Sequence, residues 1–503
     1  MYIRKAQFID FISCMFISRL FLRTISVMLL LSLSSCTPDF TQSELELVQS
    51  QIDEGYFIES REFIHDWLNS EKSISSVHKK ALEFELERML RIEREFSLER
   101  DEAFKKLTFY IKDLTEDEFD EYDAENLLEK MWIDGKTFYF KSAASNLFYI
   151  NDEAKKRLSE PKKYFLDNAV LYQTHPHHLE VIEKAKQTSK RFVLPKRFKI
   201  RYSISVNENA VPDGETVKTW IPFPREIDDR QTDIKYVNSE PQKHKIASNK
   251  SLQRTIYFEK TAKKDEKTEF WVEYEFTSKS EYVVLNEKSV KPLKTQKSLQ
   301  PYLEERFPHI RFTEELYEKS AEIVGDETNP FIIADKLFTY VDSIPWASAL
   351  EYSTIRNISD YAFNAGHADC GQVSLLLMTL YRMNGIPTKW QSGWEFSDTS
   401  FDTMHDWFLA YFEPFGWVPV DVTHGKLSSE NRDVQNFYLG GIDSYRLVFN
   451  DDYSQEFSPE KKHYRSETVD SQRGEVEWKG GNLYFDKWGY SMKWEVTDVP
   501  QAQ

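Results

Sequence analysis

Nucleophilic acyl transfer needs an activated thiol or hydroxyl, a base, and a group that orients the base. Cys370, His405 and Asp421 supply those three types in one stretch of chain. Cys370 stands in Gly366-His-Ala-Asp-Cys370-Gly, and Val373, Leu376, Leu377 and Leu380 then keep one helical face until Asn384-Gly-Ile-Pro387. A thiol in the first turn of a helix meets unsatisfied N–H groups and the positive end of the dipole, which favour the thiolate. Gly371 leaves room for a substrate carbonyl to approach the backbone, whose N–H can serve as an oxyanion donor.

The base and its orienter fall on a hairpin. Met404-His405-Asp-Trp407-Phe-Leu-Ala-Tyr411-Phe, a Glu413-Pro-Phe-Gly416 turn and Trp417-Val-Pro-Val-Asp421 read as two strands. Alternation places His405, Trp407, Leu409 and Tyr411 on one face, and Trp417, Pro419 and Asp421 on one face of the returning strand. A turn centred on Pro414 sets 407 opposite 421, so His405 and Asp421 are diagonal neighbours with backbones ~7–8 Å apart. A hydrogen bond between them would fix the imidazole tautomer and stabilise its cation.

Asp369-Cys370-Gly371-Gln372, Asn384-Gly-Ile-Pro387, His405-Asp-Trp407 and Gly416-Trp-Val-Pro-Val-Asp421 together resemble the transglutaminase-like superfamily. The resemblance is close over these segments and looser over 300–450. It implies a papain-like Cys-His-Asp core in which Cys370 attacks an amide carbonyl, a thioester forms, and an amine or water resolves it. His405 would act as base and then acid, with Asp421 as its orienter. The preceding β-sandwich resembles the module found before such cores in bacterial proteins.

Trp346, Trp394 and Trp407, with His367 and Gly371, are the candidates to line a substrate groove; core packing is the competing reading of the tryptophans. His367 could instead bond backbone, and Gln372, two residues into the helix, suits a structural role. Zinc on Cys370, His405 and Asp421 would satisfy ligand chemistry, but structural zinc uses paired cysteines and the chain has none. No metal and no cofactor are expected.

These residues need scaffolding. At ~150 residues per domain the 503 residues suggest about three domains. The expected class is α+β: a papain-like transglutaminase core preceded by an α-helical domain and a β-sandwich. The divisions are a leader at 1–35, a helical domain at 36–195, a sandwich at 196–285, a linker at 286–300, the core at 301–450 and a β-rich extension of the core at 451–503. In the helical part, Leu82, Leu86, Met89, Leu90 and Phe96 share a helix face, and His175, His177 and His178 read as a loop at the domain edge. That domain is a candidate to dock another protein. Alternating runs at 198–206, 217–221 and 270–276 mark the sandwich strands. Ile333, Leu337, Tyr340 and Val341 form another helix face, ended by Ser343-Ile-Pro345.

Arg19 and Arg23, the apolar run Ile25–Leu33 and Leu33-Ser-Ser-Cys36 read as a signal peptide whose end resembles a lipoprotein cleavage site. Either Met1 or Met15 could start it. Lipidation of Cys36 would hold the protein at a bacterial envelope membrane, on a periplasmic or outer face. Of the three cysteines, Cys14, Cys36 and Cys370, this leaves one thiol and no internal disulfide. The net charge of −18 repels a phosphate backbone, so no nucleic-acid partner is expected. Half of the 16 glycines fall between Gly366 and Gly441, where the chain must bend or approach something closely. The functional expectation is an envelope-anchored thiol enzyme acting on peptide or protein amides; the alternative is an inactive binding or scaffold lipoprotein of the same fold.

Overall fold

The computed structural model describes residues 39–70, 73–159, 175–294, 296–397 and 402–499. The leader, Cys36 and residues 398–401 lie outside them. Among the described residues no helix is long and apolar enough to cross a membrane.

The chain divides into two compact units, Met1–Met89 with Ile133–Gly135, and Leu90–Trp132 with Lys136–Gln503. In the first, Thr41 caps α1 (Gln42–Asp53) by a reciprocal bond with Glu44, and Leu45, Val48 and Ile52 form its buried face. At the start of α2 (Phe57–Asn69) the N–H groups of Phe57 and Ile58 donate to the Asp134 carboxylate. The apolar face expected around Leu82 is only partly realised in α3 (Ser76–Glu95). Leu82 and Met89 are buried, Leu90 is half exposed, and Phe96 belongs to the following strand. Charged residues take the inner positions instead: buried Arg88 bonds Glu85 at 2.6 Å and Asp53 at 2.7 Å. Periodicity misses this because a paired guanidinium can occupy an inner position that hydropathy reserves for leucine.

In the second unit, α4 (Arg100–Tyr110), α5 (Glu116–Ala124), α6 (Ala143–Ile150) and α7 (Asp152–Lys156) accompany a small sheet of β1 (Phe96–Leu98), β2 (Lys130–Ile133) and β3 (Lys136–Phe140), ordered β1-β3-β2. The expected loop at the histidine cluster is a helix start. His175 caps α8 (Pro176–Thr188), while His177 and His178 are buried against Ser280 at 3.1 Å and Tyr438 at 3.0 Å. Proline at the first helical position suits this geometry, since its missing N–H would be unsatisfied there.

The sandwich comprises β4 (Phe192–Val206), β5 (Thr216–Pro222), β6 (Gln231–Glu240), β7 (His244–Ile246), β8 (Thr255–Thr261) and β9 (Thr268–Tyr282). Phe198, Ile200, Tyr202 and Ile204 face Phe270, Val272, Tyr274 and Phe276 across the β4–β9 ladder, all buried. The segment between sandwich and core is largely exposed, with Val290 and Leu299 turned inward.

In the core, α9 (Glu314–Val324), α10 (Pro330–Asp342), α11 (Ile358–Ala365) and α12 (Cys370–Met383) precede β10 (Thr388–Phe396), β11 (Asp402–Phe412) and β12 (Gly416–Val420). After α13 (Arg432–Gln435) come β13 (Gly441–Ile442), β14 (Arg446–Asn450), β15 (Glu475–Trp478), β16 (Gly481–Asn482) and β17 (Trp488–Asp498). The core sheet runs β12-β11-β10-β14. The other two sheets are β13-β9-β4-β17, with β6 on β9, and β16-β15-β5-β8-β7.

The tail therefore differs from the extension of the core expected at 451–503. β17 pairs with β4 from Trp488↔Val206 to Asp498↔Lys196, and β15 pairs with β5, so the tail completes both sandwich sheets. Edge backbone groups of β4 and β5 gain partners that a local reading of the sequence cannot assign.

β11 sorts the core sheet into two faces. Phe408 and Ala410, with Trp390 of β10, share the apolar core with Val373, Leu376, Leu377 and Leu380 of α12, which defines the helix face of the sheet. Trp407 packs with Ile442 and Val448 on the other face.

Candidate active site

Asp369 accepts the N–H of Gln372 at 3.1 Å and the Gln372 side chain returns a bond to the Asp369 N–H at 3.2 Å, a reciprocal cap that fixes Cys370 as the first residue of α12. Gln372 is thus structural, as its position suggested. Cys370 opens on a cleft of about 230 Å³ lined by Trp346, Tyr352, Met404, Asp406, Asp470 and Arg473, among others.

The hairpin register follows the expectation. Phe408↔Val420 and Tyr411↔Trp417 put 407 opposite 421, and the His405 ring bonds Asp421 at 2.8 Å. The structure does not bring this pair to the cysteine. His405 shares the far face of the sheet with Trp407 and Glu395, whereas Cys370 meets the next residue, Asp406, with Sγ 3.4 Å from Oδ2. Successive residues of a strand point to opposite faces, and α12 packs on the face that carries 406. Of the three expected catalytic residues, the structure joins two and sets the third against a different carboxylate.

Asp406 sits among acids. Its Oδ1 accepts from Gln472 at 2.7 Å, and Tyr352 Oη lies 3.3 Å from its Oδ2 while donating to Asp369 at 2.7 Å. Burial, Asp406 and Asp369 push the Cys370 thiol well above its ordinary value. Burial first, and the two carboxylates after it, thus work against the thiolate expected from the helix end. Burial lifts Asp369 to about 6 despite the bonds from Tyr352 and Gln372. Burial and Asp470 likewise raise Asp406 well above the usual carboxylate range.

The far face has the opposite electrostatics. Arg446 lies 3.1 Å from both Asp421 and Asp443, and His424 lies 2.9 Å from Glu395. Burial alone would raise Asp421 and Asp443; His405, His424 and Arg446 hold Asp421 below its ordinary range, and Arg446, His424 and His177 do so for Asp443. Glu395, His405 and His424 offer ligand atoms within 4.8 Å of one another, but Arg446 already supplies a cation to these carboxylates. Gly393 is needed here: a Cβ would lie 1.7 Å from the Leu447 carbonyl oxygen, where β14 closes on β10 to deliver Arg446.

The other groove candidates separate. Trp346 lines the cleft. Gly371 is packed instead of open, since a Cβ there would meet Tyr352 and Asp406. Trp394 is fully buried in the sandwich core and donates to the Gln472 carbonyl, and Trp407 is fully buried and donates to Gln391. His367 turns away, with Nδ1 on the Ala365 carbonyl and Nε2 3.5 Å from Glu129. The sequence reading missed Asp406, Tyr352, Asp470, Gln472 and Arg473. Asp406 could have been found by asking which face of the strand meets the helix; the others come from segments with no motif.

Residues 317–422 match the profile of the transglutaminase-like superfamily. No curated protein matches the chain. Among solved structures, a chain from Cytophaga hutchinsonii provisionally designated a cysteine protease is 13% identical, with a TM-score of 0.41, covering 62% of this chain and 93% of its own. The periplasmic domain of TgpA from Pseudomonas aeruginosa is 12% identical, with a TM-score of 0.24, covering 48% of this chain and 90% of its own. Likenesses this distant carry no argument about substrate. The family assignment stands on the matched segment, which contains Cys370, His405 and Asp421: residues 317–422 are a transglutaminase-like domain within an α+β chain.

Proposed function

We propose that this protein is an envelope-anchored thiol enzyme that transfers or hydrolyses acyl groups of peptide or protein amides, with Cys370 forming the thioester. One observation carries the reading: Cys370, within the segment that matches the transglutaminase-like superfamily, is the first residue of a capped helix and borders a cleft. The first-turn N–H groups of α12 are the nearest source of oxyanion donors. Trp346 provides an apolar wall for an extended substrate. Hydrolysis is favoured over crosslinking, since an amine must outcompete water at the thioester. The His405–Asp421 bond supports the base-and-orienter pair of a triad, and the full triad with Cys370 requires an imidazole on the helix face of β11. Anchoring through Cys36 rests on the leader alone.

Capture of the acyl-enzyme tests the reading. The full chain is mixed with cell-wall peptides or glutamine-rich casein, quenched in acid, and its Cys370 peptide weighed. A hydroxylamine-labile adduct, absent from Cys370→Ala, is expected. Peptides that bind without any adduct would favour the second reading, an inactive binding protein; its supporting observation is that Cys370 meets Asp406, while His405 is bonded to Asp421 on the far face. Mass analysis of the mature N-terminus tests the anchor: an unmodified peptide starting upstream of Cys36 would remove it.

A further inference from the structure

The cleft at Cys370 is bounded by two segments that no catalytic motif marks. Residues 346–352 contribute one wall, and residues 466–473, from the tail beyond the matched segment, contribute the other. The first wall is fastened beside the thiol and from the helical region. Trp346 bridges to Ala368, and the Ala347 N–H donates to the Ala368 carbonyl at 3.1 Å, two residues before Cys370. Asn146 of α6 accepts the Ser348 N–H at 3.0 Å and donates to the Ser348 carbonyl at 2.9 Å, while the Tyr149 ring meets Trp346 edge to face at 5.2 Å. The second wall is held by its own carboxylate: Glu467 accepts the N–H groups of Gln472 at 2.7 Å and Arg473 at 3.1 Å. The Gln472 amide then ties that wall to β11 through the His405 carbonyl at 3.0 Å and Asp406 Oδ1 at 2.7 Å.

One ion pair joins the two walls. Two N–H groups of Arg473 donate to the two oxygens of Glu351 at 3.0 and 3.1 Å, and Arg473 Nε lies 3.1 Å from Glu467. Such a two-point fork fixes direction as well as distance. A cleft whose walls meet is closed where they meet, and its volume of about 230 Å³ is below the ~300–1,000 Å³ of sites that engulf a drug-sized ligand. Resting on the reading of Cys370 as nucleophile, we propose that the Arg473–Glu351 pair is a clasp that sets substrate size. The acyl donor reaches the thiol as a slender amide on a flexible arm, either a side chain or a free peptide end, and a loop held in a folded protein surface does not. A loop presents its amide with backbone continuing on both sides and needs an open groove; a single arm needs only a slot. Arg473 and Glu351 are thus specificity-determining residues, contributed by the tail and by the loop before α11.

The test uses two thiol probes with one reactive group and different bulk, iodoacetamide and an iodoacetamide bearing a rhodamine, on the full chain, with modification of the Cys370 peptide read by mass. The measured quantity is the ratio of the bulky to the small rate, referred to the same ratio in the urea-unfolded chain, so that changes in thiol reactivity cancel. In the native wild type the ratio should lie about tenfold or more below that reference, because the bulky probe must wait for local opening. Glu351→Ala leaves Arg473 its bond to Glu467 and should raise the native ratio about tenfold, since the closed state loses a charge-assisted pair. Arg473→Lys keeps the charge without the fork and should raise it by a smaller factor. A native ratio equal to the unfolded one, or one that neither variant moves, overturns the inference and leaves the thiol enzyme intact. If neither probe modifies native Cys370, although both modify the unfolded chain, the inference and the thiol reading fail together.

Discussion

The helix face and the far face of the core sheet hold buried carboxylates under opposite regimes. On the far face, Asp421, Asp443 and Glu395 are kept ionised by Arg446, His405 and His424. On the helix face, Asp406, Asp369 and Asp470 gather near a thiol, and each is pushed toward its protonated form chiefly by burial, although Arg465 and Arg473 act against this at Asp470. The difference arises within one dipeptide, His405-Asp406. A network of satisfied ion pairs fixes a structure; a network short of positive charge holds protons that can be moved. The first regime suits the support of a sheet, the second suits chemistry.

The sharpest way to break the comparison is to remove the cation that defines the far face. Arg446→Met leaves Asp421, Asp443 and Glu395 uncompensated in the interior and should cost about 3–5 kcal/mol, measured by urea unfolding; a loss below ~1 kcal/mol would mean that the far face is not held by charge. Next in size, Trp407→Ala and Trp394→Ala should each cost ~3–5 kcal/mol as core truncations, whereas Trp346→Ala, at the cleft, should cost less and change alkylation of Cys370. Equal losses for all three would contradict the division between core and cleft wall.

Stability against pH should separate the faces by sign. Far-face carboxylates have lowered values, so their contribution is present above the unfolded value of ~4 and is lost as pH falls toward the folded values. Raised groups behave in the opposite way. Asp369, displaced to about 6, and Glu467, displaced to about 8 chiefly by burial, contribute fully below ~4 and lose that contribution as pH rises through the folded values. Glu467→Gln should therefore flatten the decline of stability between pH 5 and 8 (~1 kcal/mol or more), checked by urea midpoints. The smallest expected effect is that of Cys370→Ala, within ~1 kcal/mol of wild type, since the thiol sits at a cleft and its bond is weak.

Much of the scaffold was legible because it follows from local rules. The capped start of α12, its stop at Asn384-Gly385, and the hairpin register that delivers His405 to Asp421 all depend on residues close in sequence. The buried charges of α3 and the capping role of His175 escaped because hydropathy and composition do not say when a charge is paired or when a ring accepts a backbone N–H. The destination of the tail escaped for a different reason: β17 finds β4 across nearly the whole second unit, and strand pairing over that separation leaves no mark in local periodicity.

The sequence by itself determined the candidate thiol, the imidazole–carboxylate pair and the alternation that puts residues 405 and 406 on opposite sides of a strand. Only the tertiary structure decided which of those sides meets the cysteine. Alternation fixes relative direction along β11, but the choice of face depends on where α12 packs, and that follows from the burial of Val373, Leu376, Leu377 and Leu380 against Phe408 and Ala410.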